Sequence, residues 1–482
     1  MTAFPLWLLL ACPGSETGDT PTDSAVSTVP TTATDTQDTE PETGTDDSAA
    51  TTETGHTGTG DTAPADPTTV EVYLLGGQSN MSGIGEISSL PPSLRTAQDD
   101  VWIWSSWDPT WTGLVPVSEY GSAYFGPEVL FGREVGDAHA LPVALIKHSV
   151  GGTDLARYWH PGQTADDANM GQGYAVWLST VQAALASLEA QGEVVRIRGM
   201  IWMQGESDAL VLDDASAYQD NLTHLVERVR QDSAAPELPF ALGLIDCVPC
   251  GAAGRELVRQ AQQAVADADA HVHAFETADL QLWEDQVHYN GPGMRTLGRR
   301  FAQALLGEPL SKPVQPAVAL TGAASNDYKG DFVVGWRFET AEALRVTDLG
   351  WYDLSGSGLG HTHNLGIYDA ATGTLQLTAT LAAAEAGATP LVDGFRYVGI
   401  EPFELPAGDW LIGGTAYNAA DPDWYMHHAA IAPGPGVSFT QACYAVGSTL
   451  RAPTDWCGET GLGAAHYFGP NLLFGPSEAA AL

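Results

Sequence analysis

"YLLGGQSNMSGIG", residues 73–85, runs from an apolar stretch into a cluster of small and polar residues. Extended back to Val70, "VEVYLLGG" (70–77) is too short for a helix and reads as a buried strand. In an open parallel α/β sheet, ligands gather at the carboxyl ends of the strands. Gly76-Gly77 permit a sharp turn there, and the turn frees the Ser79 hydroxyl and N–H. A serine in such a place is commonly a turn filler or a helix cap. Its meaning therefore depends on what else the chain brings to the same edge.

Working outward, three more apolar runs have strand length: "LPVALIKHS" (141–149), "VVRIRGMIWMQ" (194–204) and "PFALGLID" (239–246). Between and after them lie four stretches with apolar residues at three- and four-residue spacing: 174–191, 216–232, 254–269 and 291–307. Val, Ile and Leu-rich strands alternating with amphipathic helices predict an α/β domain over 69–309, its parallel sheet covered on both faces. After "EPLSKPVQP" (308–316) the texture changes to short alternating runs rich in Gly, Thr and aromatics, with turn signals about every ten residues. That pattern predicts an all-β sandwich over 318–482, with "IYDAATGTLQ" (367–376) as a hairpin on its Gly turn. The loops 84–125 and 153–172 show no readable pattern, and substrate choice is expected to reside in them.

Three further stretches fall at strand ends or just before the last helix. "SVGGTDLARYW" (149–159) offers backbone N–H groups at Gly151-Gly152, and "GMIWMQGESDA" (199–209) delivers Gln204 and Glu206 at the tip of a buried strand. "EDQVHYNGPG" (284–293) sets Asp285 three residues before His288, close enough in a turn for the carboxylate to fix the imidazole tautomer. The first two have bland alternatives, respectively a tight turn and a helix cap. All four together, in order across about 220 residues, resemble the SGNH-hydrolase superfamily. Within it they resemble the branch holding sialate O-acetylesterases and the acetylxylan esterases of carbohydrate esterase family 6.

The resemblance implies a three-layer, flavodoxin-like domain with Ser79 as nucleophile, His288 as base and Asp285 as its orienting acid. It implies an oxyanion hole built from the N–H of Ser79, an N–H of the Gly151-Gly152 pair (Gly152 favoured) and the Gln204 side-chain amide. Each such donor is worth roughly 3 kcal/mol at the transition state. Asn80 is expected to hold the turn, and Glu206 and Asp208 to buttress Gln204 or His288. Trp159 would stack on a sugar or fill the core; Trp202, on a buried strand, reads as core. Asp154 stands where small residues are common in the resemblance, and the GxSxG turn of α/β-hydrolases is absent. The "HTH" at 361–363 reads as a pair of bystander histidines, as do His56, His427 and His428. No metal-type ligand cluster overlaps the serine, ester hydrolysis by serine needs none, and no cofactor is implied.

The remaining features concern place and partners. The 482 residues carry a formal charge of −41, which argues against nucleic acid and anionic lipid surfaces as partners. Residues 13–68 hold a dozen acids and no Lys or Arg, have little to bury, and read as a disordered spacer. Before them, "MTAFPLWLLLAC" ends in a lipobox-like Leu9-Leu10-Ala11-Cys12, although no Lys or Arg precedes the apolar run. Export with lipidation at Cys12 is the reading, an ordinary secretory signal or a misplaced start the alternatives. Of five cysteines, the other four fall into the close pairs Cys247/Cys250 and Cys443/Cys457. Two disulfide clips suit an oxidising compartment better than a redox motif or a zinc site made from all four. The expected molecule is a monomeric envelope or surface enzyme removing O-acetyl groups from glycans. Two other readings fit: a glycan-binding or adhesion lipoprotein without turnover, and an esterase for non-sugar acyl groups.

Overall fold

The computed structural model describes residues 68–482, except 165–166, 322–329, 354, 418–422, 424, 427–429, 460–467 and 478–482. Cys12, the stretch 13–67, His56, His427 and His428 lie outside the described residues. Residues 68–482 form one compact unit.

Its first part is built on seven strands: β1 (Thr69–Gly77), β2 (Gln98–Ser105), β3 (Thr112–Leu114), β4 (Val143–Ser149), β5 (Val194–Met203), β6 (Phe240–Gly243) and β7 (Val272–Phe275). They lie in the order β3-β2-β4-β1-β5-β6-β7. All neighbours are parallel except β3, which pairs antiparallel with β2 at the edge. Every residue of β4 and all but the first of β1 are buried, which requires cover on both faces. The cover comes from α2 (Glu128–Ala138), α3 (Gln172–Ala190), α5 (Leu212–Asp232), α6 (Ala252–Ala268) and α7 (Gly291–Leu306), with the one-turn helices α1 (Ser79–Ser82) and α4 (Glu206–Ala209) at the strand tips. Helix α2 packs on α7, and α5 on α6.

Four of these elements were not expected. Strands β2 and β3 occupy the stretch taken as patternless loop, and β7 and α2 carried no expectation. Strand β2 sits next to the edge strand and is mostly half-exposed, so Trp102 and Trp104 stand where a buried strand would show aliphatic residues. Strand β7 is only four residues long, with His273 exposed.

Register positions the chemistry. Gly77 pairs with Ser149 on one side and Met203 on the other, so β1, β4 and β5 end level. Whatever follows Gly77, Ser149 and Met203 must therefore meet at one edge of the sheet.

The second part packs a six-stranded sheet on a five-stranded one. In chain order the strands are β8 (Gln315–Pro316), β9 (Phe332–Thr340), β10 (Leu344–Tyr352), β11 (His363–Asp369), β12 (Leu375–Leu381), β13 (Leu391–Val392), β14 (Phe395–Leu405), β15 (Gly408–Ala416), β16 (Val437–Val446), β17 (Trp456–Glu459) and β18 (Pro470–Pro476). The sheets run β12-β11-β15-β9-β16-β17 and β8-β18-β10-β14-β13. The β11–β12 hairpin turns at Gly373, φ +69°, within the stretch read as a hairpin. Trp336, Trp351, Phe395, Tyr397 and Phe468 fill the space between the sheets.

The two parts are fastened to each other. Arg295 of α7 meets the fully buried Asp348 of β10 at 2.6 Å. Arg95 donates to Gly399 O at 2.9 Å and Gln281 to Val314 O at 2.7 Å. At Gly399 a β-carbon would stand 2.0 Å from Ser89 O, so only glycine permits the approach.

Candidate active site

The site begins where β1 ends. Gly77 has φ +148°, and a β-carbon on it would come 2.1 Å from Met203 O. The same carbonyl accepts the Gln78 N–H at 2.9 Å, pinning the turn to β5. Met81 and Ser82 then donate to Gln78 O at 2.8 Å, closing the single turn of α1 with Ser79 at its head. Glycine followed by a short helix is what presents the hydroxyl at the sheet edge.

His288 and Asp285 lie on the loop before α7. His288 Nε2 is 3.0 Å from Ser79 Oγ, and His288 Nδ1 is 2.6 Å from Asp285 Oδ2. Asp285 Oδ1 accepts the Val287 and His288 N–H groups at 2.9 and 3.0 Å. Burial pushes the Asp285 carboxyl up, but the His288 hydrogen bond, the His288 charge and those two N–H groups outweigh it and hold it below its ordinary range. Segments more than two hundred residues apart in sequence thus form one hydrogen-bonded chain, Ser79–His288–Asp285.

Asn80 locks the two segments together. Its Nδ2 donates to Glu206 Oε1 at 2.7 Å and to Val287 O at 3.0 Å, while its Oδ1 accepts the Tyr289 N–H at 3.2 Å. Glu206 is buried, and burial raises its carboxyl against the pull of Asn80 and the His288 charge. The role expected of Asn80, holding the turn, extends to the loop that carries His288.

Gln204 departs from expectation. Its amide nitrogen donates to Asp208 Oδ2 at 2.6 Å and Thr153 O at 3.0 Å, with Gln78 Oε1 at 3.3 Å, and its Oε1 accepts the Tyr218 hydroxyl at 2.9 Å. An amide with two protons so engaged has none left for an oxyanion. Gln204 is part of the frame. Asp208, pushed up to about 6 by burial, accepts the Leu155 and Ala156 N–H groups and so clamps the segment after Gly152. The Ser79 and Gly152 N–H groups have no protein acceptor among the described residues. The Gly151 N–H faces the Glu119 carboxylate.

Several residues of the frame carried no expectation. Gln78 Oε1 takes three N–H contacts, from Gln204 Nε2, Gly205 and Ser207 at 3.3–3.4 Å, and so ties α1 to α4. Its place beside Ser79 was the available signal. His148, on the tip of β4, is buried, bonds Ser106 Oγ at 2.7 Å and is pushed down to about 4 by desolvation. It packs on Trp159, and Trp159 on Trp202, with ring centroids 5.3 and 5.1 Å apart. Both tryptophans are fully buried. Trp159 is therefore core, as Trp202 was expected to be. Asp154 caps its own turn through the Arg157 and Tyr158 N–H groups.

Both cysteine pairs are bonded, Cys247–Cys250 after β6 and Cys443–Cys457 across β16 and β17. Val248, inside the first clip, donates to Gln286 O at 3.2 Å, so the clip abuts the loop between Asp285 and His288. Of the "HTH" pair, His363 is fully buried, with Nδ1 on Thr415 O at 2.7 Å and Nε2 on Asp423 Oδ2 at 3.2 Å. No group of three His, Cys, Asp or Glu among the described residues converges as metal ligands would.

Residues 69–307 match the family model described as carbohydrate esterase, sialic acid-specific acetylesterase. A probable carbohydrate esterase of Arabidopsis thaliana is 24% identical over 260 residues, covering 49% of this chain and 90% of that protein. Among solved structures, an Arabidopsis thaliana protein aligns at 22% identity and TM-score 0.42 over 50% of this chain and 99% of its own. A carbohydrate acetylesterase from Xanthomonas citri aligns at 16% identity and TM-score 0.38 over 69% of this chain and 80% of its own. The α/β domain at residues 69–307 belongs to the sialic acid-specific acetylesterase family of carbohydrate esterases, which are carboxylic ester hydrolases.

Proposed function

We propose that the α/β domain is a serine esterase that removes O-acetyl groups from a glycan through an acetyl-Ser79 intermediate. The observation that carries it is the chain from Ser79 Oγ to His288 Nε2 at 3.0 Å and from His288 Nδ1 to Asp285 at 2.6 Å. Ser79 Oγ attacks the acetyl carbon while His288 Nε2 takes its proton. The tetrahedral oxyanion turns to the N–H groups of Ser79 and Gly152. His288 then returns the proton to the departing sugar oxygen. Water, deprotonated by the same imidazole, attacks the acetyl-serine, and acetate leaves as Ser79 regains its proton. Asp285, held below its ordinary range, stays ionised throughout and stabilises the imidazolium.

The full-length chain is expected to hydrolyse p-nitrophenyl acetate, and Ser79→Ala to abolish this. Acetate release from acetylated xylan, O-acetylated sialic acids and O-acetylated peptidoglycan names the glycan. Turnover of model esters with no release from any of the three would remove the carbohydrate part of the reading. The two disulfides support an oxidising location, hence export, with Cys12 as the point of lipid attachment. Labelling cells with a fatty-acid analogue tests this. The chain should take up label, and Cys12→Ser should not.

A further inference from the structure

Between β3 and α2 the chain returns from the sheet edge to the nucleophile, steered by hydrogen bonds. Ser118 Oγ donates to Gly83 O at 2.5 Å and accepts the Tyr120 N–H at 3.2 Å. Gly121 then turns with φ +117°. This brings the Tyr120 hydroxyl to 2.0 Å from the point a β-carbon on Gly151 would occupy, and the Ser79 β-carbon stands 3.5 Å from the same point. Residue 151 is thus glycine because the tyrosine hydroxyl fills the place of its side chain. Tyr120 and Ser79 both border the same face of Gly151.

Glu119 stands beside the phenol. Burial pushes its carboxyl up, opposed by the Ser82 hydroxyl, the Lys147 ammonium, the Tyr120 hydroxyl and the Gly151 N–H. Burial and the Glu119 charge in turn raise the Tyr120 phenol, so it stays protonated through the working range of an esterase.

On the serine-esterase reading above, we infer that Tyr120 sets acyl-group specificity, closing the space beside Gly151 and Ser79 to chains longer than acetyl. With the acyl oxygen turned to the N–H groups of Ser79 and Gly152, the leaving oxygen must face His288 Nε2. The remaining substituent of the tetrahedral carbon is the acyl chain, and the Tyr120–Gly151 wall bounds it.

The test is kcat/KM of the full chain for p-nitrophenyl acetate, propionate and butyrate, in wild type, Tyr120→Ala and Tyr120→Phe. One methylene in a tight pocket discriminates by about tenfold or more. Wild type should therefore prefer acetate over butyrate by about 100-fold, and Tyr120→Ala should shrink that ratio by about tenfold or more through gain on butyrate. Tyr120→Phe, which removes only the hydroxyl, should move the ratio the same way by less. It carries the test if the alanine variant does not fold. An acetate-to-butyrate ratio unchanged in a folded variant overturns the inference, whether or not overall activity falls. Wild type without turnover of any ester would instead sink the serine-esterase reading.

Discussion

Among the described residues two buried histidines each pair with an aspartate, and the two pairs are not equivalent. In the α/β domain, His288 gives one nitrogen to Asp285 and the other to the Ser79 hydroxyl. In the sandwich, His363 gives one nitrogen to Asp423 and the other to the carbonyl of Thr415, with its ring stacked on Trp351 at 4.3 Å. Both aspartates are treated alike. Burial pushes each carboxyl up, and the paired imidazole with two backbone N–H groups pulls it below its ordinary range. The difference lies in the histidine's second partner. A carbonyl only accepts, so the nitrogen facing it must keep a proton. A hydroxyl can donate, so the nitrogen facing Ser79 can be bare and take one. A histidine–aspartate pair becomes a base through what stands on its far side.

That contrast can be broken experimentally. The largest effect is expected from Ser79→Ala, a loss of about 10⁴-fold or more in kcat on p-nitrophenyl acetate. Asp285→Asn should cost about 10⁴-fold by favouring the wrong tautomer, whereas Asp423→Asn should leave kcat unchanged. If the sandwich variant lost activity comparably, the distinction between the pairs would fall. His363→Phe removes one of several partners of Asp423 and should cost about 1–3 kcal/mol in urea unfolding, again without altering kcat.

Two smaller effects follow from titration. The Asp423 carboxyl has a folded pKa below its unfolded one, so its contribution is present above about pH 4 and fades as pH falls through the folded value. The stability gap between wild type and Asp423→Asn should therefore narrow below about pH 4. Glu86 has the opposite sign. Burial lifts it to about 8 although its Oε2 accepts the Gly291 N–H at the head of α7. The folded state holds that proton more tightly than the unfolded chain, so stability should decline as pH rises from about 4 towards 8. Glu86→Gln should flatten that decline. A slope unchanged by the substitution would mean another group carries it.

Much of the catalytic frame was legible because the chemistry announces itself locally. Strand β1, the glycine turn and the residues of the Ser79–His288–Asp285 chain occupy short stretches whose residue types have few other reasons to stand together. What was not legible depends on direction. Gln204 reads as a donor on a strand tip, but Gly205, at φ +140°, turns the chain into α4 and leaves the amide between Asp208 and Thr153. Tyr120 lies in a stretch without periodicity, and tertiary contacts such as the Ser118–Gly83 hydrogen bond bring it to Ser79's neighbourhood. Strand β2 was missed because a strand one place from the edge is half-exposed, and burial is what makes strands readable.

The ion pair between Arg295 and Asp348 has a consequence for how such proteins can be taken apart. Arg295 sits on the helix that grows directly out of the loop carrying His288, and its counter-charge comes from across the boundary between the two halves. Severing the chain near residue 309 would part a largely buried guanidinium from the buried carboxylate it neutralises and open both contact faces to water. Each half would lose a partner that the other supplies. Shuffling this esterase into new architectures would require moving its sandwich along with it.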